Sequence, residues 1–434
     1  MVPGRPLLVV LALLIALAAV AAAVDILRPA ALAVATGVLG VALLDAVLGL
    51  RRHVLAARRL LPGSLPLGVA SRVTVRVSNG GPRARRVTVH DHHPGLFEAT
   101  GLPLTVTVPP DGWAEAHYEV RPVRRGEHHF GPIAARLASP LGLWERQVRL
   151  GEPSAVRVYP NFAAVTKYAL FATDHRLSQL GILQRRRRGE GLEFHQLRDY
   201  REGDSLRQID WKATSRSPRL ISREYQDERD QQIVFLIDCG RRLAAQDGEL
   251  SHFDHVLNAA LLMSYVALRE GDAVGFMTMS GERQFMAPRK SAATVNEILN
   301  RLYDVQPSLM TTDYYSAALD LARRLRKRAL VVILSNMRDE DDDTLAPALA
   351  LLAKRHLVLF ASLREGILGR ALRTRVDGFD PALTYAATAD YLAQRELAFR
   401  RIGRGGASCL DVEPDALPVA LVNRYLDIKR SGRL

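Results

Sequence analysis

Two apolar runs open the chain. Leu7–Val24 (LLVVLALLIALAAVAAAV) carries no charge, and Leu27–Leu50 is broken only by Arg28 and Pro29 at its start and by Asp45 near its end. As a helix, each is long enough to cross roughly 30 Å of hydrocarbon. The stretch between them, about Asp25–Pro29, leaves room only for a tight turn, so the pattern predicts a transmembrane helical hairpin over residues 1–52. A cleaved leader also begins with an apolar run, but here the second run follows with no polar cleavage region between. Arg51, Arg52, Arg58 and Arg59, with His53, follow the second run, whereas the turn carries Arg28 alone. The positive-charge rule therefore places both termini and all later residues on the cytoplasmic side of the inner membrane. Asp45 is expected near the interface, within reach of the arginines that follow it.

From about 60 to 165 the pattern changes to period two. SRVTVRVSN alternates and stops at Asn79-Gly80-Gly81-Pro82, and ARRVTVHDHHP, LPLTVTVPPDG, AEAHYEVRPVRRG, EHHFGPIAARLASPLGLWER and SAVRVYPN continue in the same style. Short alternating strands punctuated by turn residues predict a β-sandwich of immunoglobulin or fibronectin type. Arg124-Arg125-Gly126, Phe130-Gly131-Pro132 and Ser139-Pro140-Leu141-Gly142-Leu143 read as turns and corners. His90-Asp91-His92-His93 brings metal-binding side chains together, with His117, His128 and His129 in the same domain. Pro94-Gly95 puts the cluster at a strand end, where polar residues are ordinary, so a metal site is not the favoured reading.

Residues 166–230 read as a linker followed by a dense polar block. From 231 to 434 apolar strands (IVFLID, AVGFMTM, RQFMAP, LVVILSN, HLVLFASL, ASCLDVEP) are separated by helical patterns at Phe253–Arg269, Ala292–Tyr303, Tyr314–Arg326, Asp343–Lys354, Ala382–Arg401 and Ala416–Ile428. That order predicts a doubly wound α/β domain with a mainly parallel sheet. The whole reads as a multidomain chain of hairpin, sandwich and α/β domain.

Composition adds two limits. Two cysteines in 434 residues exclude a disulfide framework and a cysteine-based zinc site. The net charge of +13 is mostly arginine. It admits an anionic membrane face or nucleic acid as a partner, but the runs Arg185–Arg188 and Arg323–Arg328 have no interleaved aromatic residues to stack bases.

The polar block carries the most specific signal. It reads GEGLEFHQLRDYREGDSLRQIDWKATSRSPRLISREYQDERDQQIVFLID from Gly189 to Asp238. Glu190, Glu193, Arg198, Asp199, Tyr200, Gly203, Asp204, Arg207, Asp210, Trp211 and Arg216 are its marks. This block resembles the family-58 domain of unknown function, a bacterial membrane-anchored group with a von Willebrand factor type A (vWA) domain, and the resemblance extends over nearly the whole chain. It implies a scaffold working with a MoxR-type AAA+ ATPase in chaperone-like assembly or maturation; other vWA or membrane proteins are further candidate partners. It also implies a MIDAS-like metal site, in which Asp-x-Ser-x-Ser follows the first strand, a threonine comes from a later loop and an aspartate follows the fourth strand. Here Asp238 matches, Gly240 and Arg242 replace the serines, Thr311 or Thr312 stands for the threonine, and Asn336 stands for the aspartate with Asp339 nearby. Two hydroxyl ligands are gone and a carboxylate has become an amide, so the site reads as degenerate, with Arg242 placed to pair with Asp238. No cofactor is expected, and magnesium only if the departures are compensated.

The chain has no Gly-x-x-x-x-Gly-Lys-Ser/Thr loop, Gly-x-Ser-x-Gly elbow or His-Glu-x-x-His pair. Its acidic and imidazole groups in the block (Glu190, Glu193, His195, Asp199, Asp204, Asp210) lack a nucleophile partner. The chain is therefore not expected to be an enzyme. Two alternatives stay open: a metal-dependent hydrolase or nuclease using Asp238, Asp339 and the acidic run to Asp343, and a basic nucleic-acid-binding membrane protein.

Overall fold

The computed structural model describes residues 1–50, 55–161, 193–201, 206–226, 231–281, 283–338 and 342–433. They fall into two compact units, Met1–Tyr159 and Pro160–Leu434.

The first unit opens with a short strand β1 (Val2–Pro3), then helices α1 (Arg5–Ala23) and α2 (Arg28–Gly49), joined by a 3-10 turn at Asp25–Leu27. Both helices are long and apolar enough to cross a membrane, with mean hydropathies of 2.8 and 2.2. Their bounds lie close to the apolar runs because Pro6 and Pro29 sit in the first turns, where a missing N–H costs nothing.

Eleven further strands follow: β2 (Leu55–Leu60), β3 (Ser64–Pro66), β4 (Ser71–Asn79), β5 (Arg85–Asp91), β6 (Phe97–Thr100), β7 (Leu104–Val108), β8 (Gly112–Pro122), β9 (Gly126–Phe130), β10 (Ile133–Ala138), β11 (Trp144–Arg149) and β12 (Ser154–Tyr159). They form sheets ordered β1-β11-β10-β5-β7, β2-β4-β8-β6 and β3-β12-β9. All pairings are antiparallel except that of β3 with β12. The period-two pattern sets the faces: Val73, Val75 and Val77 of β4 and Val87 and Val89 of β5 are buried.

One inward position on β5 is an acid. Asp91 is fully buried, and Arg59 from β2 grips it through Nε at 2.8 Å and through a second guanidinium nitrogen. The Tyr118 hydroxyl donates to the same carboxylate at 2.6 Å, and the guanidinium stacks 4.6 Å from the Phe130 ring centre. Burial together with the Asp91 hydrogen bond drives the Tyr118 hydroxyl far above its ordinary pKa. Asp91, one member of the histidine-rich run, is thus a cross-sheet tie.

The structure shows which groups hold Asp45. Its carboxylate is buried and accepts from the Ser139 hydroxyl at 2.5 Å and from the backbone N–H groups of Leu141 and Leu143 at 2.9 and 3.3 Å. Desolvated at the helix end, it is satisfied by a loop that wraps it; Arg51 and Arg52, the first of the arginines expected near it, lie outside the described residues. The Ser139–Leu143 corner is thereby more than a turn.

The second unit begins with a two-stranded hairpin, β13 (Glu193–Asp199) and β14 (Ile221–Gln226), with the short helix α3 (Trp211–Thr214) between them. Next come β15 (Gln232–Ile237), β16 (Gln246–Asp247), β17 (Leu250–Ser251), helix α4 (His252–Arg269), β18 (Ala273–Thr278), β19 (Phe285–Arg289), α5 (Thr294–Leu302) and α6 (Tyr314–Arg324). The unit continues with β20 (Leu330–Ser335), α7 (Asp342–Ala353), β21 (Leu357–Leu363), α8 (Gly366–Arg373), α9 (Phe379–Arg404), β22 (Ser408–Val412) and α10 (Leu417–Arg430). The six-stranded sheet runs β19-β18-β15-β20-β21-β22, parallel throughout except for the edge strand β19. Its central strands are buried on both faces, which explains their unbroken apolar runs. Val234, Leu236, Val331, Ile333, Val358 and Phe360 pack with α6, α7 and α9 in one core cluster.

Helix α4 starts with a capping box, Ser251 and Asp254 each accepting from the other's backbone N–H. Helix α10 is tied down by Asp272, which is buried and accepts from Tyr425 at 2.5 Å and Lys429 at 2.9 Å. The sequence pattern missed α8 altogether.

Candidate functional site

The strand order reverses around β15, with β18 on one side and β20 on the other. In doubly wound sheets the carboxyl ends at such a reversal form the ligand crevice, and Asp238 stands there, 1% exposed. One carboxylate oxygen accepts from the Gly240 N–H at 2.8 Å and from the Thr312 hydroxyl. The other accepts from the Ser335 hydroxyl at 2.5 Å. Behind these, Ser280 pairs with Thr312 at 2.8 Å and Tyr314 with Ser335 at 2.7 Å. The result is a carboxylate set in a net of hydroxyls.

This arrangement sorts the sequence candidates. Thr312, not Thr311, reaches Asp238, and Thr311 is exposed. Gly240 stands where the family pattern has a serine, and a side chain there would strike the Thr312 hydroxyl. Arg242 lies in a 3-10 turn, Arg241–Ala244, and the donors on Asp238 are Gly240, Thr312 and Ser335. Three neutral donors already bond the carboxylate, and they cost less to bury than a guanidinium. Asn336 turns away, donating to Glu365 at 2.8 Å and lying 3.5 Å from His252 Nδ1. Asp339 lies outside the described residues. Ser280, Tyr314 and Ser335 were missed by the sequence reading; the available signal was that Ser280 and Ser335 sit at the ends of apolar strands.

These residues do not fit a magnesium ion held in the family manner. Among the described residues the hub's one carboxylate is engaged by three internal donors, and Gly240 and Arg242 supply no hydroxyl. Among the described residues, no group of three His, Cys, Asp or Glu side chains is placed to hold a metal. That includes the histidine-rich run, where His92 Nδ1 meets the Pro132 carbonyl at 2.9 Å and His93 Nδ1 the Pro94 carbonyl at 3.0 Å.

A second polar cluster lies alongside, at the ends of β20 and β21. Burial pushes the Glu365 carboxyl up, but the Asn336 amide and the nearby Arg395 charge outweigh it, and the net displacement is downward. Burial holds His252 and His255 below the ordinary histidine value.

The described residues of the family block bond to one another locally. Asp210 caps α3, accepting from the N–H groups of Lys212 and Ala213 at 3.0 Å each, and pairs with Arg223 at 2.9 Å. Those hydrogen bonds, the Ala213 N–H first, hold its carboxyl below the usual range. Asp199 pairs with Arg219 at 3.1 Å, Arg198 donates to the Asp199 carbonyl, and the Tyr200 N–H bonds the Leu220 carbonyl. Trp211 is 67% exposed, with Leu206 and Leu220 also at the surface, and Arg216 faces solvent. Glu193 and His195 lie on β13, and Arg207 in the turn Leu206–Gln208. Glu190, Gly203, Asp204 and the run Arg185–Arg188 lie outside the described residues.

Residues 196–367 match the family described as "Protein of unknown function DUF58". The matched stretch takes in most of the polar block that resembles the family. It is 22% identical over 193 residues to a Bacillus subtilis (strain 168) protein described as "Uncharacterized protein YeaD". That alignment covers 43% of this chain and 44% of the relative, so the chain spans less than half of the relative's length. An aerotolerance-related membrane protein from Bacteroides fragilis aligns over 46% of this chain and 98% of its own, at 15% identity and a TM-score of 0.30. Escherichia coli alpha-2-macroglobulin aligns over 24% of this chain and 9% of its own, at 18% identity and a TM-score of 0.19. Likenesses that loose fix neither fold nor activity.

Proposed function

We propose that this chain is a membrane-tethered adaptor. In this reading an immunoglobulin-like sandwich and a vWA-like domain face the cytoplasm from the inner membrane, and the vWA-like domain binds protein partners. The partner class favoured by the family resemblance is a MoxR-type AAA+ ATPase, in chaperone-like assembly or maturation. The observation that carries the reading is the exposed Trp211. A large aromatic side chain held at the surface by a capped turn, among locally paired charges, suits a protein-binding anchor. The strand-end hub is consistent with this role: Ser280, Thr312 and Ser335 bond to a carboxylate and to one another, and none bonds a histidine that would activate it. The doubly wound strand order and the position of Asp238 support the vWA-like assignment. The hydrolase alternative loses ground because the carboxylate it needs is committed to internal donors.

Affinity capture of the detergent-solubilised protein from its native membrane tests the reading, with wild type beside Trp211→Ala. An AAA+ ATPase enriched with wild type and depleted with the variant supports it. An ATPase absent from both samples, with nucleic acid or a small substrate retained instead, rejects it.

A further inference from the structure

The hairpin and the strands of the first unit meet inside the last turns of the second helix. Ala42, Asp45 and Gly49 are the buried face of α2. On that face Asp45 holds Ser139, Leu141 and Leu143, and Trp144 Nε1 donates to the Ala42 carbonyl at 2.8 Å. A Cβ added at Gly49 would lie 3.2 Å from Ser139 Cβ and 2.8 Å from Met1 Cε, so the glycine admits the loop. The amino terminus joins the same place: β1 pairs with β11 at Glu145 and Trp144, and the Gly4 N–H bonds the Leu143 carbonyl at 2.8 Å.

The helix itself serves as a ruler. Seventeen residues separate Arg28 from Asp45, which is about 26 Å of helix. The hydrocarbon layer is about 30 Å thick. With Arg28 at the far face, Asp45 falls near the other edge of the hydrocarbon, and Ala42 about 4.5 Å deeper. The Ser139–Trp144 segment wraps these residues and therefore stands at the same depth. At that level the unit presents Leu141, 59% exposed, with Met1 and Val2 at 46% and 55%, beside the outward-facing Leu44 and Val47 of α2. The Ser139 hydroxyl and the Leu141 and Leu143 N–H groups are turned inward onto Asp45. Apolar side chains outside and satisfied backbone inside suit the boundary between headgroups and acyl chains.

We propose that the Ser139–Trp144 loop and the Met1–Pro3 strand form a foot seated in the bilayer interface, with the lipid itself as partner. The foot fixes the strands of the first unit at the membrane surface instead of leaving them on a free tether. The proposal rests on the hairpin spanning the membrane.

The test places an environment-sensitive fluorophore at Leu141→Cys in a Cys239→Ala/Cys409→Ala background of the full chain, in nanodiscs containing shallow spin-labelled lipid. The comparison site is Leu96→Cys, which follows β5 past Asp91, the residue paired with Ile133 at the far end of β10 from Ser139. A blue shift and quenching at 141, but not at 96, are expected, and Asp45→Ala is expected to reduce the quenching at 141. Equal quenching at the two sites in protein that co-elutes with the discs overturns the foot. Protein that fails to co-elute with the discs overturns the spanning reading instead, and the foot with it.

Discussion

Gly240→Ala is the sharpest probe of the hub. The backbone at Gly240 has φ −82° and ψ 175°, open to any residue. Away from its neighbours the change would stabilise by about 0.4–1 kcal/mol through the unfolded chain. The neighbours reverse that sign. The new Cβ would fall well inside contact distance of the Thr312 hydroxyl, 3.0 Å from the Met310 carbonyl oxygen and 3.1 Å from the Asp238 carboxylate. Thr312 has little freedom to yield, being β-branched and bonded to both Asp238 and Ser280. Displacing it gives up a hydrogen bond to a carboxylate, about 1.5–3 kcal/mol, and overpacking adds roughly 1–3 kcal/mol. We expect a net local loss of about 2–4 kcal/mol. Thr312→Ala removes the same hydrogen bond and also removes the nearest obstacle, so the double variant is expected to lie close to Thr312→Ala, with a coupling that approaches the whole Gly240→Ala loss. Hydrogen exchange of the amides at 240–243 and 314–316 in the full-length protein reads these local opening energies. Unchanged or increased protection in Gly240→Ala, or strict additivity in the double variant, would refute the reasoning.

Two further predictions concern buried groups. Burial lowers the pKa of His252, His255 and His356, so below about pH 6.5 the unfolded chain takes up protons that the folded one refuses. Their contribution is complete above that pH and is lost as pH falls toward the depressed values, by up to about 1.4 kcal/mol per pH unit for each histidine. Thermal melts of the full-length protein are expected to move down between pH 7 and 5, and less so in His356→Leu; a rise would contradict the account. Arg59→Met strands Asp91 in the core of the first unit and is expected to cost about 3–5 kcal/mol. Asp91→Leu added to it is expected to recover most of that loss, as read by exchange protection along β5.

The elements that could be read from the sequence are those whose patterns are one-dimensional. Both apolar helices lie close to their runs, and the parallel strands announce themselves because burial on two faces demands continuous apolar residues, as in Leu330–Leu334. The hub was half legible. Asp238 ends an apolar strand and so stands out, but its partners Ser280, Thr312 and Ser335 come from three other segments, and no local spacing links them. Asn336 stands at the family's position yet turns to Glu365, while hydroxyls bond the carboxylate. For Asp45 the nearby arginines are visible in sequence, whereas the loop some ninety residues later that satisfies it is visible only in space.

The most direct test of the central claim is equilibrium binding between the full chain in nanodiscs and a purified MoxR-type AAA+ ATPase encoded in the same genome. The account predicts saturable binding that is weakened by Trp211→Ala and insensitive to chelation of divalent ions in nucleotide-free conditions. No binding by the wild-type chain, or binding that Trp211→Ala leaves untouched, would contradict it.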